Sequence, residues 1–218
     1  MHWRNPGPIR HPSGFVEPCL PTNGCEVPSG HQWAYEIKHD GYRFIVRREL
    51  DRVRVFSRRG NDWTDKVPRI VDAVMALSVT TITIDGEGVA CGLDAVSDFN
   101  MLRASVGRKG SRKAFLYAFD LLEIDGHDLQ REPWETRRDA LASLLQNAKP
   151  DAKLNGGIQL SEHVDGADGA VVFRHACKLG LEGIVAKRRD RPYRSGHTTE
   201  WVKIKNPNAP AATRVMEW

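Results

Sequence analysis

Short runs of β-branched and aromatic residues alternate with helical stretches along most of this chain. The runs AYEIK, RFIVRREL, RVRVFSR, TTITIDGEGVA and KAFLYAFDLLEI are predicted strands, and the second and third form a predicted antiparallel hairpin. The stretches VPRIVDAVMAL, SDFNMLRASV, PWETRRDALASLLQNA and GAVVFRHACKLG are predicted helices, and GIQLSEHV, GIVAKRR and EWVKIKN are predicted strands. Such interleaving in 218 residues predicts an α/β or α+β domain with a substantial core.

The two ends of the chain differ in composition from its middle. Residues 1–30 are rich in proline and glycine, which predicts an extended N-terminal arm rather than regular structure. The alternating elements fill residues 31–207, the predicted domain. Residues 208–218 are a predicted surface tail, whose Trp218 is expected to dock back.

Composition and charge narrow the class of protein. The sequence contains no apolar run long enough for a membrane helix and no signal-peptide pattern, so a cytoplasmic protein without a membrane partner is expected. The 4 cysteines form no C-x-x-C pair, and they are expected to be reduced thiols. A net charge of +4 with arginine clusters such as DRVRVFSRRG and KRRDRPYRSG suits a polyanionic partner, although a solvated charged face fits equally well.

Lys38, in the stretch YEIKHDGYRF, is the first candidate for chemistry. It stands at the end of a predicted strand, before a turn at Asp40 and Gly41, and such a lysine points into whatever cleft lies beyond the strand. A lysine attacks only as the neutral amine, which nearby cations favour. The candidate cations are Arg43, Lys203 and Lys205. The K-x-D-G pattern alone also fits an ordinary solvated lysine.

Further patterns follow Lys38 in a fixed order. They are FSRRGNDWT with Arg58, TIDGEGVA with Glu87, YAFDLLEIDG with Phe119, LEGIVAKR with Glu182 and Lys187, and WVKIK with Lys203 and Lys205. The set resembles the nucleotidyltransferase motifs I, Ia, III, IIIa, IV and V of ATP-dependent DNA ligases and mRNA-capping enzymes, over about Pro18 to Pro207. The segments SRRGNDWT, FDLLEIDG and LEGIVAKR look most like those of bacterial ATP-dependent DNA ligases linked to double-strand-break repair.

This resemblance implies a fold and an activity. The implied fold is α+β, with two twisted, largely antiparallel sheets and flanking helices around an ATP cleft, as in ATP-grasp-like proteins. The implied enzyme is an ATP-dependent DNA ligase that forms lysyl-AMP at Lys38, transfers AMP to a 5′-phosphate of nicked double-stranded DNA, and seals the nick with the 3′-hydroxyl. ATP and Mg²⁺, or Mn²⁺, are the implied cofactors.

The resemblance also assigns roles to individual residues. The implied catalytic residues are Lys38, Lys203 and Lys205, and the implied metal ligands are Glu87 and Glu182, with Glu87 binding ribose, metal or both. The implied nucleotide-binding residues are Glu36, Ile37, Lys38, Arg43, Arg58, Glu87, Phe119, Lys187, Lys203 and Lys205. Among these, Phe119 would stack on adenine and Glu36 would accept from its amino group, favouring ATP over GTP. The implied DNA-binding residues are Arg43, Arg58, Arg59, Arg188 and Arg189.

The sequence departs from the family after motif V. DNA ligases continue there into an OB-fold domain that ends in a basic motif VI, whereas this sequence ends at Trp218 and no OB-fold domain is predicted. Three explanations stay open: an excised adenylation domain, a short protein that borrows missing parts from a protein partner, and a degenerate paralogue. The tail NPNAPAATRVMEW favours a natural end. A nick- or end-binding module with little turnover and an RNA ligase or capping enzyme are the alternative functions. A monomer associated with the nucleoid is expected.

Overall fold

The computed structural model describes residues 12–92, 97–106, 110–148, 156–166 and 168–209. The strands are β1 (Cys19–Asn23), β2 (Trp33–Ile37), β3 (Tyr42–Glu49), β4 (Arg52–Ser57), β5 (Thr81–Val89), β6 (Phe115–Ile124), β7 (His127–Asp128), β8 (Ile158–Leu160), β9 (His163–Asp165), β10 (Gly183–Arg188) and β11 (Gly196–Lys205). The helices are α1 (Pro68–Met75), α2 (Phe99–Ser105), α3 (Trp134–Gln146) and α4 (Gly169–Lys178), with a 3₁₀ turn at Thr64–Lys66.

The strands form two sheets. The first sheet has the order β1-β11-β10-β2-β9, and within it only the β1–β11 pair is parallel. The second sheet has the order β4-β3-β5-β6-β7, all antiparallel, with β8 added in parallel beside β6. This confirms the predicted α+β class with two largely antiparallel sheets.

Strand alternation gives the first sheet two chemically different faces. Tyr35, Ile184, Ala186 and Ile204 form an apolar cluster on one face, beneath α4. Because successive side chains on a strand point to opposite faces, the neighbouring positions on β2, β10 and β11 point the other way. Those positions carry Glu36, Lys187, Trp201 and Lys203. The sheet therefore has one apolar face and one face that also carries charged groups.

Two further apolar clusters complete the layers. The cluster between the sheets includes Ala34 and Trp201 from the first sheet with Ile45, Phe56 and Phe119 from the second. The other face of the second sheet packs against α1 and α3 in the largest cluster of buried residues. The charged face of the first sheet is thus turned toward the second sheet.

Two predictions about local structure are wrong. Cys19–Asn23 lies in the segment predicted to lack regular structure, but forms β1 because it pairs with the distant β11. GIQLSEHV is not one strand: β8 pairs with β6 in the second sheet and β9 pairs with β2 in the first. Both outcomes depend on pairing between distant segments, which local sequence does not encode.

Some predictions concern residues outside the ranges that the structure describes. Residues 1–11 and 210–218 are among these residues, so the expected docking of Trp218 is one such prediction. In the described ranges, no helix combines the length and the apolar character needed to cross a membrane.

Candidate active site

Lys38 lies directly after β2, beside the residue that precedes β10. Its backbone N–H donates to the carbonyl of Gly183 (3.0 Å), and its Nζ lies 2.5 Å from Oε1 of Glu182. The two segments meet because β2 and β10 are antiparallel, with Ile37 opposite Ile184. The two side chains are 22% and 13% exposed, so Lys38 is an ion-paired residue at the edge of a cleft.

Glycines allow the backbone to close around Lys38. A Cβ at Gly41 would lie 2.2 Å from the carbonyl oxygen of Gly88 on β5. Gly183 has a φ of +137°, and a Cβ there would lie 2.0 Å from the carbonyl oxygen of Ile204 on β11. The glycine after Asp40 is therefore required by close approach of β5, whereas the sequence suggested turn geometry.

Lys203 continues the charged face of the first sheet. In the register of the sheet, Lys203 on β11 is opposite Val185 on β10, which is opposite Glu36 on β2. Ile204 packs in the apolar cluster on the other face, and Lys203 and Lys205 flank it. The alternation expected for WVKIK is therefore present.

Cations cluster around Lys203. Partial burial lowers the pKa of Lys203, and the nearby charges of Lys205, Lys38 and Arg58 lower it further, while Glu182 opposes them. The structure thus brings these four basic residues into one electrostatic environment at the end of β2 and along β11. Such a cluster can stabilise a polyphosphate.

Glu87 lies on β5, opposite Arg43 on β3 and Tyr117 on β6. Burial raises the pKa of Glu87 to about 7; Lys38 and Arg43 oppose this rise, and Glu182 adds to it. Glu87 lies in the second sheet, and Glu182 directly precedes β10 of the first sheet. A carboxylate held near its protonation point beside a second carboxylate has the electrostatics of a site that accepts a divalent cation.

The two glutamates fit Mg²⁺ if phosphate oxygens and water complete the shell. Within the part of the chain that the structure describes, no cluster of three or more His, Cys, Asp or Glu residues could hold a metal ion. Mg²⁺ is commonly bound through one or two carboxylates plus substrate phosphates, and it prefers oxygen ligands. Glu87 and Glu182 meet that requirement.

Arg43 is held by a carboxylate that is not among the predicted site residues. Its Nε and Nη2 donate to Oδ1 and Oδ2 of Asp85 (2.5 and 2.7 Å), and Nη2 also donates to the carbonyl of Cys19 (3.2 Å). Asp85 is fully buried and also accepts from the hydroxyl of Tyr193 (2.6 Å). Asp85 lies two residues before Glu87 on the same strand. This spacing places both carboxylates on one face, and it is the sequence feature that could have indicated Asp85 as a site residue.

Glu36 and Lys187 form a buried ion pair on the charged face. Lys187 Nζ donates to Glu36 Oε1 (2.8 Å), and both side chains are almost fully buried. Burial raises the pKa of Glu36 and lowers the pKa of Lys187, and each partner opposes the shift of the other. Both residues were predicted to contact the nucleotide, and here they contact each other.

Phe119 is almost fully buried, and two cations lie over its ring. It is 7% exposed, with Lys187 Nζ 4.2 Å and Arg43 Cζ 4.4 Å from the ring centroid. Trp201 meets it edge-on at 6.1 Å. Stacking of a base on Phe119 therefore requires neighbouring side chains, such as these two cations, to move.

The remaining predicted residues differ in how close they lie to Lys38 and Lys203. The side chain of Ile37 packs in the cluster beneath α4, so any contact it makes with a nucleotide in the cleft is through its backbone. Arg58 and Arg59 are exposed in the turn after β4, and Arg58 is near Lys203. Arg188, which pairs with Asp190, and Arg189 lie at the far end of β10, about 17 Å from the Lys38 end at about 3.3 Å per residue.

His39 and Tyr117 lie at the site but are not among the predicted site residues. Their rings are stacked with centroids 3.9 Å apart and planes 11° from parallel. Burial lowers the pKa of His39 to about 4, and the charges of Lys38 and Lys187 lower it further. A neutral imidazole next to Lys38 avoids adding a third positive charge there.

We expect this histidine to make the protein acid-sensitive. Between about pH 6.5, the ordinary histidine pKa, and pH 4 the unfolded chain binds more protons than the folded one, so stability falls as pH falls. His39→Phe keeps a ring against Tyr117 but removes the titration. The loss of unfolding free energy between about pH 7 and pH 4.5 should be smaller by about 1–3 kcal/mol in this variant.

Urea unfolding at the two pH values measures this difference. His197→Gln, at an exposed position, is the matched control and should behave as the wild type. An identical loss of stability in all three proteins would show that His39 titrates normally in the folded chain.

Comparisons with known proteins agree with the motif pattern. Residues 22–205 match the family model of the ATP dependent DNA ligase domain. The chain is 36% identical over 181 residues to the multifunctional non-homologous end joining protein LigD of Pseudomonas aeruginosa, which covers 83% of this chain and 21% of that protein. It is 32% identical over 206 residues to the DNA ligase of Thermococcus onnurineus, which covers 87% of this chain and 36% of that protein.

A solved structure shares the fold. The structure of mycobacterial DNA ligase D complexed with ATP and MES superposes with a TM-score of 0.73 at 32% identity, covering 87% of this chain and 60% of that one. In the two sequence comparisons the chain spans well under half of the relative's own length, 21% for the Pseudomonas LigD protein and 36% for the Thermococcus ligase.

Proposed function

The chain belongs to the ATP-dependent DNA ligase domain family, and from that premise we propose that it is the adenylation domain of a DNA repair ligase. In this proposal Lys38 accepts AMP from ATP, the AMP passes to the 5′-phosphate of a nick in double-stranded DNA, and the 3′-hydroxyl displaces it. The single observation that carries the proposal is the contact of Lys38 with Glu182, in the same electrostatic environment as Lys203, Lys205 and Arg58.

The first step follows from the chemistry of these groups. Lys38 Nζ loses a proton to solvent and forms a bond to the α-phosphorus of ATP, while the bond from that phosphorus to the bridging oxygen breaks and pyrophosphate leaves. Negative charge develops on the phosphate oxygens, where Lys203 and Lys205 stabilise it. In this chain Lys38 must also leave its ion pair with Glu182 before it can attack.

Glu87 and Glu182 would hold a divalent cation, Mg²⁺ or Mn²⁺, together with phosphate oxygens. The bound ion would neutralise charge on the polyphosphate. Glu87 also lies opposite Arg43 on the neighbouring strand, so the two side chains bring opposite charges to one region of the cleft.

Relatives suggest the setting in which the reaction would occur. LigD proteins are named for non-homologous end joining, which points to broken chromosomal DNA as substrate. We place this chain in the bacterial cytoplasm, with nicked duplex DNA as its partner and with further domains or a protein partner contributing to DNA binding. The net charge of +4 is consistent with a polyanionic partner.

Labelling with ATP tests the proposal directly. The protein is incubated with α-labelled ATP and Mg²⁺, then denatured and separated by electrophoresis, with and without a nicked duplex. A labelled protein band that loses its label to the nicked duplex is the expected result. An unlabelled protein that still binds ATP would overturn the proposed activity, and discharge to nicked RNA alone would make the enzyme an RNA ligase.

We expect Phe119→Leu to weaken ATP binding if the ring stacks on adenine after a covering cation moves. Loss of an aromatic stacking surface should reduce the binding free energy by about 1–3 kcal/mol, measured by calorimetry with Mg²⁺ present. Phe56→Leu is the matched control, because Phe56 is buried in the same cluster between the sheets. Equal ATP affinities for the two variants would make Phe119 a core residue only.

A further inference from the structure

The hydroxyl of Tyr193 joins polar groups from both sheets. Tyr193 lies between β10 and β11, outside the motifs that resemble ligases, and is 7% exposed. Its hydroxyl donates to Asp85 Oδ2 on β5 (2.6 Å) and accepts from the backbone N–H of Cys19 on β1 (2.8 Å). One hydroxyl thus connects an edge strand of the first sheet to a central strand of the second.

The carboxylate of Asp85 fixes one edge of the Arg43 guanidinium. Arg43 uses Nε and Nη2 for Asp85, and Nη2 also reaches the carbonyl of Cys19. Among the described residues, Nη1 of Arg43 has no hydrogen-bond partner, and the side chain is 15% exposed. Because the guanidinium is planar, fixing the Nε–Nη2 edge also fixes the direction of the two Nη1 protons.

The backbone that carries Tyr193 is itself anchored. Tyr193 N–H donates to the carbonyl of Gln130 (2.8 Å), and the carbonyl of Arg191 accepts from the N–H of Trp134 (2.9 Å) at the start of α3. Arg137 of α3 also donates to the Arg191 carbonyl (3.2 Å). The hydroxyl is therefore delivered to Asp85 from a segment attached to a helix.

We infer that Tyr193 is a positioning residue for Arg43, acting through Asp85 so that Nη1 is directed at an anionic phosphate group. This inference rests on the proposed function for the identity of that phosphate, on ATP or on the nick. Without the hydroxyl, Asp85 keeps only the two donors of Arg43, and the buried N–H of Cys19 loses its acceptor. The bond from Arg43 Nη2 to the carbonyl of Cys19 is then the remaining hydrogen bond that restrains the joined carboxylate and guanidinium from turning together.

Tyr193→Phe tests the inference, with Tyr35→Phe as the matched control. Tyr35 is equally a buried tyrosine whose hydroxyl donates one hydrogen bond, to the carbonyl of Pro28 (2.8 Å), but it lies in the cluster beneath α4. Two readouts are measured: the ¹⁵N–¹H signal of Arg43 Nε with its solvent exchange, and the rates of lysyl-AMP formation and of AMP discharge to a nicked duplex. The Arg43 signal is assigned by its absence in Arg43→Lys.

In Tyr193→Phe we expect the Arg43 signal to shift and exchange faster, and at least one of the two rates at saturating ATP to fall about tenfold. In Tyr35→Phe we expect neither change. An unmoved Arg43 signal overturns the inference, and so does a moved signal with both rates within about twofold of the control. If the wild-type protein takes no label, the proposed function fails, and the Arg43 signal alone then decides whether Tyr193 orients this arginine.

Discussion

Lys38→Arg is expected to abolish the covalent transfer of AMP to the protein. Arginine keeps a cation within reach of Glu182, so the ion pair and the fold are preserved. A guanidinium remains protonated at all accessible pH values and cannot attack phosphorus. The rate of labelling should therefore fall by at least about 10⁴-fold, as for removal of a nucleophile in other enzymes.

Comparison with alanine separates the two roles that Lys38 can have. Lys38→Ala also removes the nucleophile, but it leaves Glu182 without its partner, so any loss of stability in this variant reports the ion pair. Lys178→Ala, at an exposed position on α4, is the control for a lysine with no expected role and should label as the wild type does. Label on Lys38→Arg would show that another residue accepts AMP.

The parts of the site that were predictable are those defined by motif order. Lys38, Glu182 and Lys203 are distant in sequence, but each lies in a motif with a characteristic sequence. Their encounter depends on the pairing of β2, β10 and β11, which the family resemblance implied as a whole. The alternation of Lys203 and Lys205 around Ile204 needed only the two-residue period of a strand.

The parts that were not predictable depend on side-chain pairing across the fold. Asp85 and Glu87 both lie on β5, and the sequence favoured Glu87 because the motif did, although Asp85 holds Arg43. Tyr193 lies in no motif. Its partners on β1 and β5 are brought together by tertiary packing, which local patterns do not describe.

The position of Phe119 shows a second limit of prediction from sequence. The resemblance assigned the ring to adenine stacking, and the pattern LYAFDLL also fitted a core residue. The structure places the ring in the cluster between the sheets with Lys187 and Arg43 close to it. Access to the ring depends on the positions of the Lys187 and Arg43 side chains. Their ion pairs with Glu36 and Asp85 fix those positions.

The second large effect is expected in the buried pair of Glu36 and Lys187. Lys187→Met leaves the Glu36 carboxylate buried without its partner, which should cost about 3–5 kcal/mol of unfolding free energy. Glu36→Leu should cost a similar amount by leaving the ammonium unpaired. The double variant places two apolar side chains against each other, and methionine keeps a favourable contact with the rings of Phe119 and Trp201.

The unfolding free energy of the double variant is therefore expected to lie within about 1–2 kcal/mol of the wild-type value. The sum of the losses in the two single variants would be much larger. Urea unfolding of the four proteins measures the cycle. Arg188→Met is the matched control on the same strand, because its ion pair with Asp190 (2.9 Å) is exposed and should contribute less than about 1 kcal/mol. Additive losses in the cycle would mean that Glu36 and Lys187 do not depend on each other.

The same cycle addresses how the nucleotide enters the cleft. If Lys187 must leave Phe119 before adenine can stack, the wild type breaks the Glu36 pair on binding, whereas the double variant has no pair to break. The ATP affinity of the double variant then reflects two opposing changes. Binding no longer has to break the ion pair, but the Glu36 acceptor for the adenine amino group is lost. Since GTP lacks that amino group, we expect the double variant to lose preference for ATP over GTP, measured by competition. An unchanged preference would place adenine recognition elsewhere in the cleft.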